Sequence, residues 1–361
     1  MKNDRTINAW QTAIYIFVLM FANKVLILPS LLFEGAKMES LFVVILLVLL
    51  EFGLLYVFYL LKKKYPTQSF SFILKKHCSK YVVWVVYFLF MIYFLSKAIL
   101  MYNITYIFFK TVIYKDGDNF LFLICLLPIM NHLAWNGLRV MGRTLQLFFL
   151  VVFVLVSFCL LVGFFGMGSN PLLFQSSASE FFITAVKHIS AFGDMIFLFV
   201  FMNKIQIKKG QWKIVFTISG ISLFMVVLVV LVFMLSYTYT AFMHPFALFE
   251  IMNYVKEFGG TGRIDILSMI VIIVMTYFQL AIYLKAFMVS FQTIFYKIDK
   301  IYSALTFNLL FLFLVNFVVQ NLEIAVFFGE NILPYVSIFS FIIVPLLAFF
   351  CKFKTRRRDE P

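Results

Sequence analysis

The first long apolar stretch, Ala9 to Phe33, carries Asn23 and Lys24 near its middle, and the sixth, Phe182 to Met202, carries Gly193 and Asp194 at a comparable depth. A charge at the centre of a membrane-spanning helix costs about 3 kcal/mol or more, so such groups face a bundle interior, pair with each other or meet a ligand. A lysine and an aspartate together offer both halves of a site for a zwitterion. The ammonium takes a carboxylate and the carboxylate takes an ammonium. The neighbouring residues weaken both helices. Pro29 follows Lys24 and removes a backbone donor, and Gly193 disfavours unbroken helix by about 1 kcal/mol relative to Ala. Broken turns leave N–H and C=O groups free at the midplane. Ala22, Asn23, Lys24 and Val25 in the first stretch, and Phe192, Gly193 and Asp194 in the sixth, are therefore candidate ligand-binding residues, with the Phe192 ring a gate or a core residue.

These residues need a membrane bundle to position them, and the composition supplies one. Of 361 residues, 64% are hydrophobic and 13% charged, with mean hydropathy +1.02, which excludes a soluble globular protein. Ten runs are long enough to cross about 30 Å of hydrocarbon: Ala9 to Phe33, Leu41 to Leu61, Tyr81 to Phe109, Phe120 to Trp135, Leu145 to Phe165, Phe182 to Met202, Ile214 to Tyr239, Ile266 to Phe291, Ile301 to Val319 and Ile332 to Cys351. Continuous apolar runs indicate helices, not a barrel, so the expected class is an all-α polytopic membrane protein. Five plus five spans place the second half upside down relative to the first. The expectation is one transmembrane domain over 1–361, with an inverted repeat of 1–165 and 166–351 in which helices 1 and 6 are broken, and a basic cytoplasmic tail, 352–361.

The net charge of +14 is not a nucleic-acid footprint, because its distribution follows topology. Lys62, Lys63, Lys64, Lys75, Lys76, Lys80, Arg139, Arg143, Lys204, Lys208, Lys209 and Lys213 fall in alternating loops, whereas the intervening loops carry only Lys37, Lys110, Lys115, Lys256 and Arg263. The positive-inside rule then puts both termini in the cytoplasm, and the Lys352 to Arg358 cluster marks a topological anchor at the lipid bilayer surface. The first run is expected to be an uncleaved span. Cys78, Cys125, Cys159 and Cys351 lack metal-type spacing, so no metal or other cofactor is expected.

Further polar residues lie inside spans. Glu51 and Lys97 sit at similar depth in the second and third, as a buried ion pair that either sets helix register or couples to ion movement. Gln279 and Tyr283 are four apart and share one helical face, whereas Lys285 points elsewhere; Asn103 and Tyr106 offer a second wall to the same cavity. Lys187 snorkels toward the outer surface. His244, Glu250, Arg263 and Asp265 read as an exposed, salt-bridged outer segment. No phosphate loop, His-x-x-x-His pair or Ser/His/Asp arrangement points to an enzyme.

The chain resembles the spore germination permeases, the B subunits of GerA-type germinant receptors within the amino acid, polyamine and organocation superfamily. The resemblance rests on Phe21 through Leu26 to Pro29, on the turn Gly137, Leu138, Arg139 to Gly142 and Arg143, on Phe192, Gly193 and Asp194, and on the outer stretch from His244, Pro245 and Phe246 through Gly259, Gly260 and Arg263 to Asp265. It implies the inverted five-helix repeat of a LeuT-like, APC-type fold, a nutrient germinant, an amino acid by chemistry, bound near the breaks between helices 1, 3, 6 and 8, and assembly with A and C subunits in the spore inner membrane. Two departures stand out. Ala22, Asn23 and Lys24 occupy a break that is usually Gly-rich, and Asp194 stands where Glu is common. A proton- or cation-coupled amino-acid or polyamine permease has the same fold and remains the alternative function.

Overall fold

The computed structural model describes residues 6–22, 24–114, 118–165, 177–257, 265–319 and 327–354. Within them the chain is all-helical, with one isolated backbone bridge between Ile7 and Ile205 in place of any strand. Hydrocarbon offers the backbone no hydrogen-bond partners, so such a sequence satisfies its N–H and C=O groups within helices. The helices in order are α1 (Ala9–Phe21), α2 (Leu28–Ala36), α3 (Ser40–Lys64), α4 (Phe70–His77), α5 (Lys80–Phe108), α6 (Asn119–Trp135), α7 (Leu138–Phe165), α8 (Ala178–His188), α9 (Ile196–Val200), α10 (Trp212–Tyr237), α11 (Ala247–Glu257), α12 (Asp265–Ile294), α13 (Lys300–Val319) and α14 (Phe328–Cys351).

Among the described residues, eight stretches, against the ten expected, are long and apolar enough to cross a membrane. The expected first run divides, because α1 stops at Phe21 and α2 continues through a short turn into α3, giving one stretch over Leu28–Lys64. The fourth run folds as the 17-residue α6, with Pro128 inside it. Both short helices occupy expected runs, and the chain is an integral membrane protein.

α1 is apolar apart from Gln11 and Thr12 in its first turn, and all its residues except Trp10 are buried, as expected of a helix in the middle of a bundle. It packs along α10, while α5 runs along α12, where Thr105 Oγ1 and Thr276 Oγ1 lie 3.3 Å apart. The outer ring faces lipid, with Leu147, Phe165 and Phe313 exposed. In the connection between α3 and α5, Ser69 caps α4 through the Phe72 N–H at 3.2 Å, and Lys75, Lys76 and His77 fill its last turn, where cations complement the helix dipole.

The segment after α10 differs from the expected exposed loop. It forms α11, which buries Ala247, Leu248, Ile251 and Met252 against the bundle. A helix N-terminus presents unpaired N–H groups, and here they meet the unwound part of the first run. The Ala247 N–H donates to Leu26 O at 2.8 Å and the Leu248 N–H to Val25 O at 3.3 Å. Tyr237 Oη donates to Glu250 O at 2.8 Å, and His244 Nδ1 lies 3.4 Å from the half-buried Glu250 carboxylate. Burial raises that carboxyl while His244 opposes the shift. Asp265 is buried at the start of α12; Gly259, Gly260, Arg263 and the arginines of the tail lie outside the described residues.

Proline is well tolerated at the first helical position but has no N–H. Ala247→Pro is therefore expected to keep α11 and loosen its seal. In a background lacking the native cysteines, a cysteine at Val25 should then react several-fold faster with a membrane-impermeant maleimide; an unchanged rate would show that these bonds do not close the break.

Candidate functional site

Two interrupted helices meet at one buried cluster of four charges. α1 ends at Phe21, and the Lys24 ammonium turns back to Leu19 O at 3.1 Å, satisfying one of the carbonyls that a helix end leaves free. Pro29, in the first turn of α2, restarts the helix. In the sixth run, α8 tightens into a 3-10 turn over Ile189–Ala191, Phe192 is extended, and Gly193 adopts φ +91° before the chain turns into α9. That φ belongs to the left-handed region that glycine alone occupies without strain. Space imposes the same restriction, since a Cβ on Gly193 would sit 2.5 Å from Ser340 Oγ and 3.0 Å from Tyr93 Oη.

The unwound turn exposes Asp194 and the Phe192 carbonyl to the same spot. Asp194 Oδ2 lies 3.1 Å from Lys24 Nζ, and Oδ1 lies 3.0 Å from Lys97 Nζ. Tyr283 Oη donates to Oδ1 at 2.9 Å and itself accepts from Gln279 Nε2 at 2.6 Å. The Asp194 N–H donates to Glu51 Oε1 at 3.0 Å, while Glu51 Oε2 is 3.4 Å from Lys24 Nζ. Phe192 O accepts from Lys97 Nζ at 3.2 Å and Tyr93 Oη at 3.3 Å, and Lys24 Nζ stands 4.9 Å from the Phe192 ring centre. Lys24, Glu51 and Asp194 are 0% exposed and Lys97 1%. Two ammonium groups and two carboxylates thus balance in a place without solvent, where any one left alone would carry a large desolvation penalty.

The structure brings together Lys24, Phe192, Gly193, Asp194, Gln279 and Tyr283, with Ala22 and Val25 buried beside them on the first break. Asn23 lies outside the described residues. Glu51 and Lys97 join the same cluster with different partners from those expected: Glu51 takes Lys24 and Lys97 takes Asp194, so the expected pair becomes two pairs joined through Asp194. Depth along a span was readable, but the direction each side chain faces was not. Asn103 and Tyr106 face elsewhere. They line a cavity of about 1220 Å³ between α5, α6 and α13, with Lys110, Asn119 and Asn316, and Tyr102 Oη donates to Asn119 Oδ1 at its edge. Lys187 lies at the surface, 3.9 Å from Glu330, and Lys285 is buried on α12. Tyr93 escaped the sequence reading, although it lies four residues before Lys97 and so shares its face of α5.

The cluster is suited to exchanging partners. Its charges are matched one to one and held by backbone groups of two broken helices. Gln279 Oε1 is buried without a hydrogen-bond partner, as is Glu51 Oε2 apart from its ion pair, so unspent acceptors already face the site. No group of three or more metal-type ligands occurs among the described residues.

Residues 6–324 match the family described as spore germination protein, the spore permeases. The chain belongs to that family. No curated protein matches it.

Charge balance predicts a recovery on double substitution. Lys97→Met leaves one excess carboxylate and is expected to cost about 3–5 kcal/mol, whereas adding Glu51→Gln restores neutrality and should recover part of the loss in thermal unfolding of the detergent-solubilised protein. Additive losses would contradict a balanced cluster. Gly193→Ala should lower the midpoint in the same assay, while Gly53→Ala, on an open helical position, should leave it unchanged or raise it, with a gain in stability of up to about 1 kcal/mol; similar effects at both would mean that the Gly193 turn is not required.

Proposed function

We propose that this spore germination permease is the nutrient-sensing, transporter-like subunit of a germinant receptor, the B subunit of a GerA-type complex. It binds a small molecule, an amino acid by its chemistry, between the first, third, sixth and eighth spans and signals to A and C subunits in the spore inner membrane. The reading includes both termini in the cytoplasm and the ten runs as an inverted repeat of 1–165 and 166–351. The first and sixth runs head these two halves, and both break at the charge cluster, which supports that arrangement.

One observation carries the reading: the Lys24–Asp194 contact joins two helix breaks and is wholly buried. A zwitterion can replace it term for term. Its carboxylate takes Lys24 and the free N–H groups, while its ammonium takes Asp194, the Phe192 carbonyl and the Tyr283 hydroxyl. Lys24 and Asp194 hold each other where ligand charges would go, so binding there would separate α1 from the sixth run. A ligand shifts a conformational equilibrium only by its difference in affinity between the two states, and exchanging partners at a buried pair supplies that difference. Entry from outside requires α11 to leave the carbonyls of Val25 and Leu26. Ligand binding, not turnover, then does the signalling.

The permease reading draws on Glu51. Its second oxygen lacks a hydrogen-bond donor beside Lys24, a place where a proton or cation could bind and couple to substrate. Substrate-dependent uptake by the purified protein in liposomes would favour the permease, and absence of uptake would favour the receptor.

Spores carrying Asp194→Asn are expected to need more than about tenfold higher nutrient concentration for a half-maximal response, since losing one charged partner costs 1.4 kcal/mol or more. Tyr283→Phe, which keeps all four charges, should shift the response less. Immunoblotting for the chain separates loss of binding from loss of protein, and an unchanged concentration dependence at normal protein level would refute the assignment.

A further inference from the structure

The arginines of the cytoplasmic turn take no part in the charge cluster, yet the fold fixes them in place. Gly137, at φ +88°, starts α7, and Tyr15 Oη on α1 donates to Leu138 O at 2.6 Å. Gly142 lies so close to α1 that a Cβ there would be 3.3 Å from the Tyr15 ring and 3.4 Å from the Gln11 side chain. The first turns of α7 are thereby locked onto α1. Arg139, Arg143 and Gln146 follow at i, i+4 and i+7 on one face of α7, and that face lines a cavity of about 580 Å³ at the cytoplasmic end of the bundle.

The opposite walls come from the start of α1 and the segment after α9, with Gln11, Gln206 and Lys208 contributing. Every charged side chain in the lining is cationic, and no ion pair engages Arg139 or Arg143 among the described residues. The buried cluster pairs each of its cations, and the contrast is sharp. A topological signal needs only basic residues on the correct side of the membrane. It does not need two guanidinium groups and several amides converging on one hollow. Guanidinium forks match phosphate oxygens in pairs, and a cavity of this size falls within the range of ligand pockets, so it admits a phosphate together with the group that bears it.

We propose that this cavity is a phosphate-binding site that ties together the cytoplasmic ends of the first, fifth and sixth spans. Its walls are already joined by backbone bonds, the Ile7 N–H to Lys204 O at 2.9 Å and the Gln206 N–H to Ile7 O at 2.9 Å. A phosphate held by Arg139 and Arg143 on α7 and by Lys208 beyond α9 adds a charged clamp across that junction. Occupancy therefore favours the state closed to the cytoplasm, whatever binds at the helix breaks. The phosphate comes from a soluble phosphate compound or from an anionic lipid headgroup; the chemistry of recognition is the same.

The test uses the full-length chain in phosphatidylcholine nanodiscs, with pyrophosphate as the soluble probe, and separately in nanodiscs containing phosphatidylglycerol. Stabilisation against heat by pyrophosphate in neutral lipid supports a soluble ligand, and stabilisation only by phosphatidylglycerol supports a headgroup. In either case Arg139→Gln and Arg143→Gln should each raise the half-saturating concentration about tenfold. Lys75→Gln, an exposed basic residue on α4 outside the cavity, should change it less than twofold. Absence of stabilisation by both probes, or equal effects of all three substitutions, would overturn the proposal.

Discussion

The Asp194 carboxylate is held at once by Lys24 from the break in the first run, Lys97 from α5 and Tyr283 from α12, while its own N–H is held by Glu51 from α3. Five parts of the bundle therefore meet at one residue of an unwound turn. Buried without solvent, these charges need each other, since a charge that loses its partner in such surroundings costs several kcal/mol. The helix breaks follow from this. Asp194 can face three neighbours only where the sixth run leaves helical geometry, and the positive φ of Gly193 allows it to do so.

Each break also frees backbone groups, and the fold uses them as further contacts. The carbonyls of Val25 and Leu26 accept from the first turn of α11, Leu19 O accepts from Lys24, and Phe192 O accepts from Lys97 and Tyr93. The α11 contact, the charge cluster and the two broken helices are thus linked through the same unwound segments. Under the proposed function this system would exchange pairing within the protein for pairing with a ligand, a property that suits a sensor as well as a transporter.

The expense of burying charge made Lys24 and Asp194 legible in the sequence, and the i, i+4 spacing of Gln279 and Tyr283 placed them on one face. Glu51 and Lys97 were legible by depth alone. Hydropathy reports how far along a span a residue lies, whereas its partner depends on helix rotation and packing, which no periodicity in an all-apolar helix records. Asn103 and Tyr106 went to a separate cavity for the same reason. α11 escaped because eleven residues of mixed polarity between spans resemble a loop, and its role as a cap exists only once the Val25 and Leu26 carbonyls are free. The brevity of α6 was legible in its short run with Pro128, whereas the apolar run from Ala9 to Phe33 gave no sign that α1 ends at Phe21.

The most direct measurement is a structure of the protein bound to the nutrient that triggers its spores. The expected result is that the separation of Lys24 Nζ and Asp194 Oδ2, 3.1 Å here, opens beyond the roughly 4 Å limit of an ion pair, with the ligand carboxylate against Lys24 and its ammonium against Asp194. A ligand seated elsewhere, such as the cavity beside Asn103 and Tyr106, with the Lys24–Asp194 contact intact would contradict it.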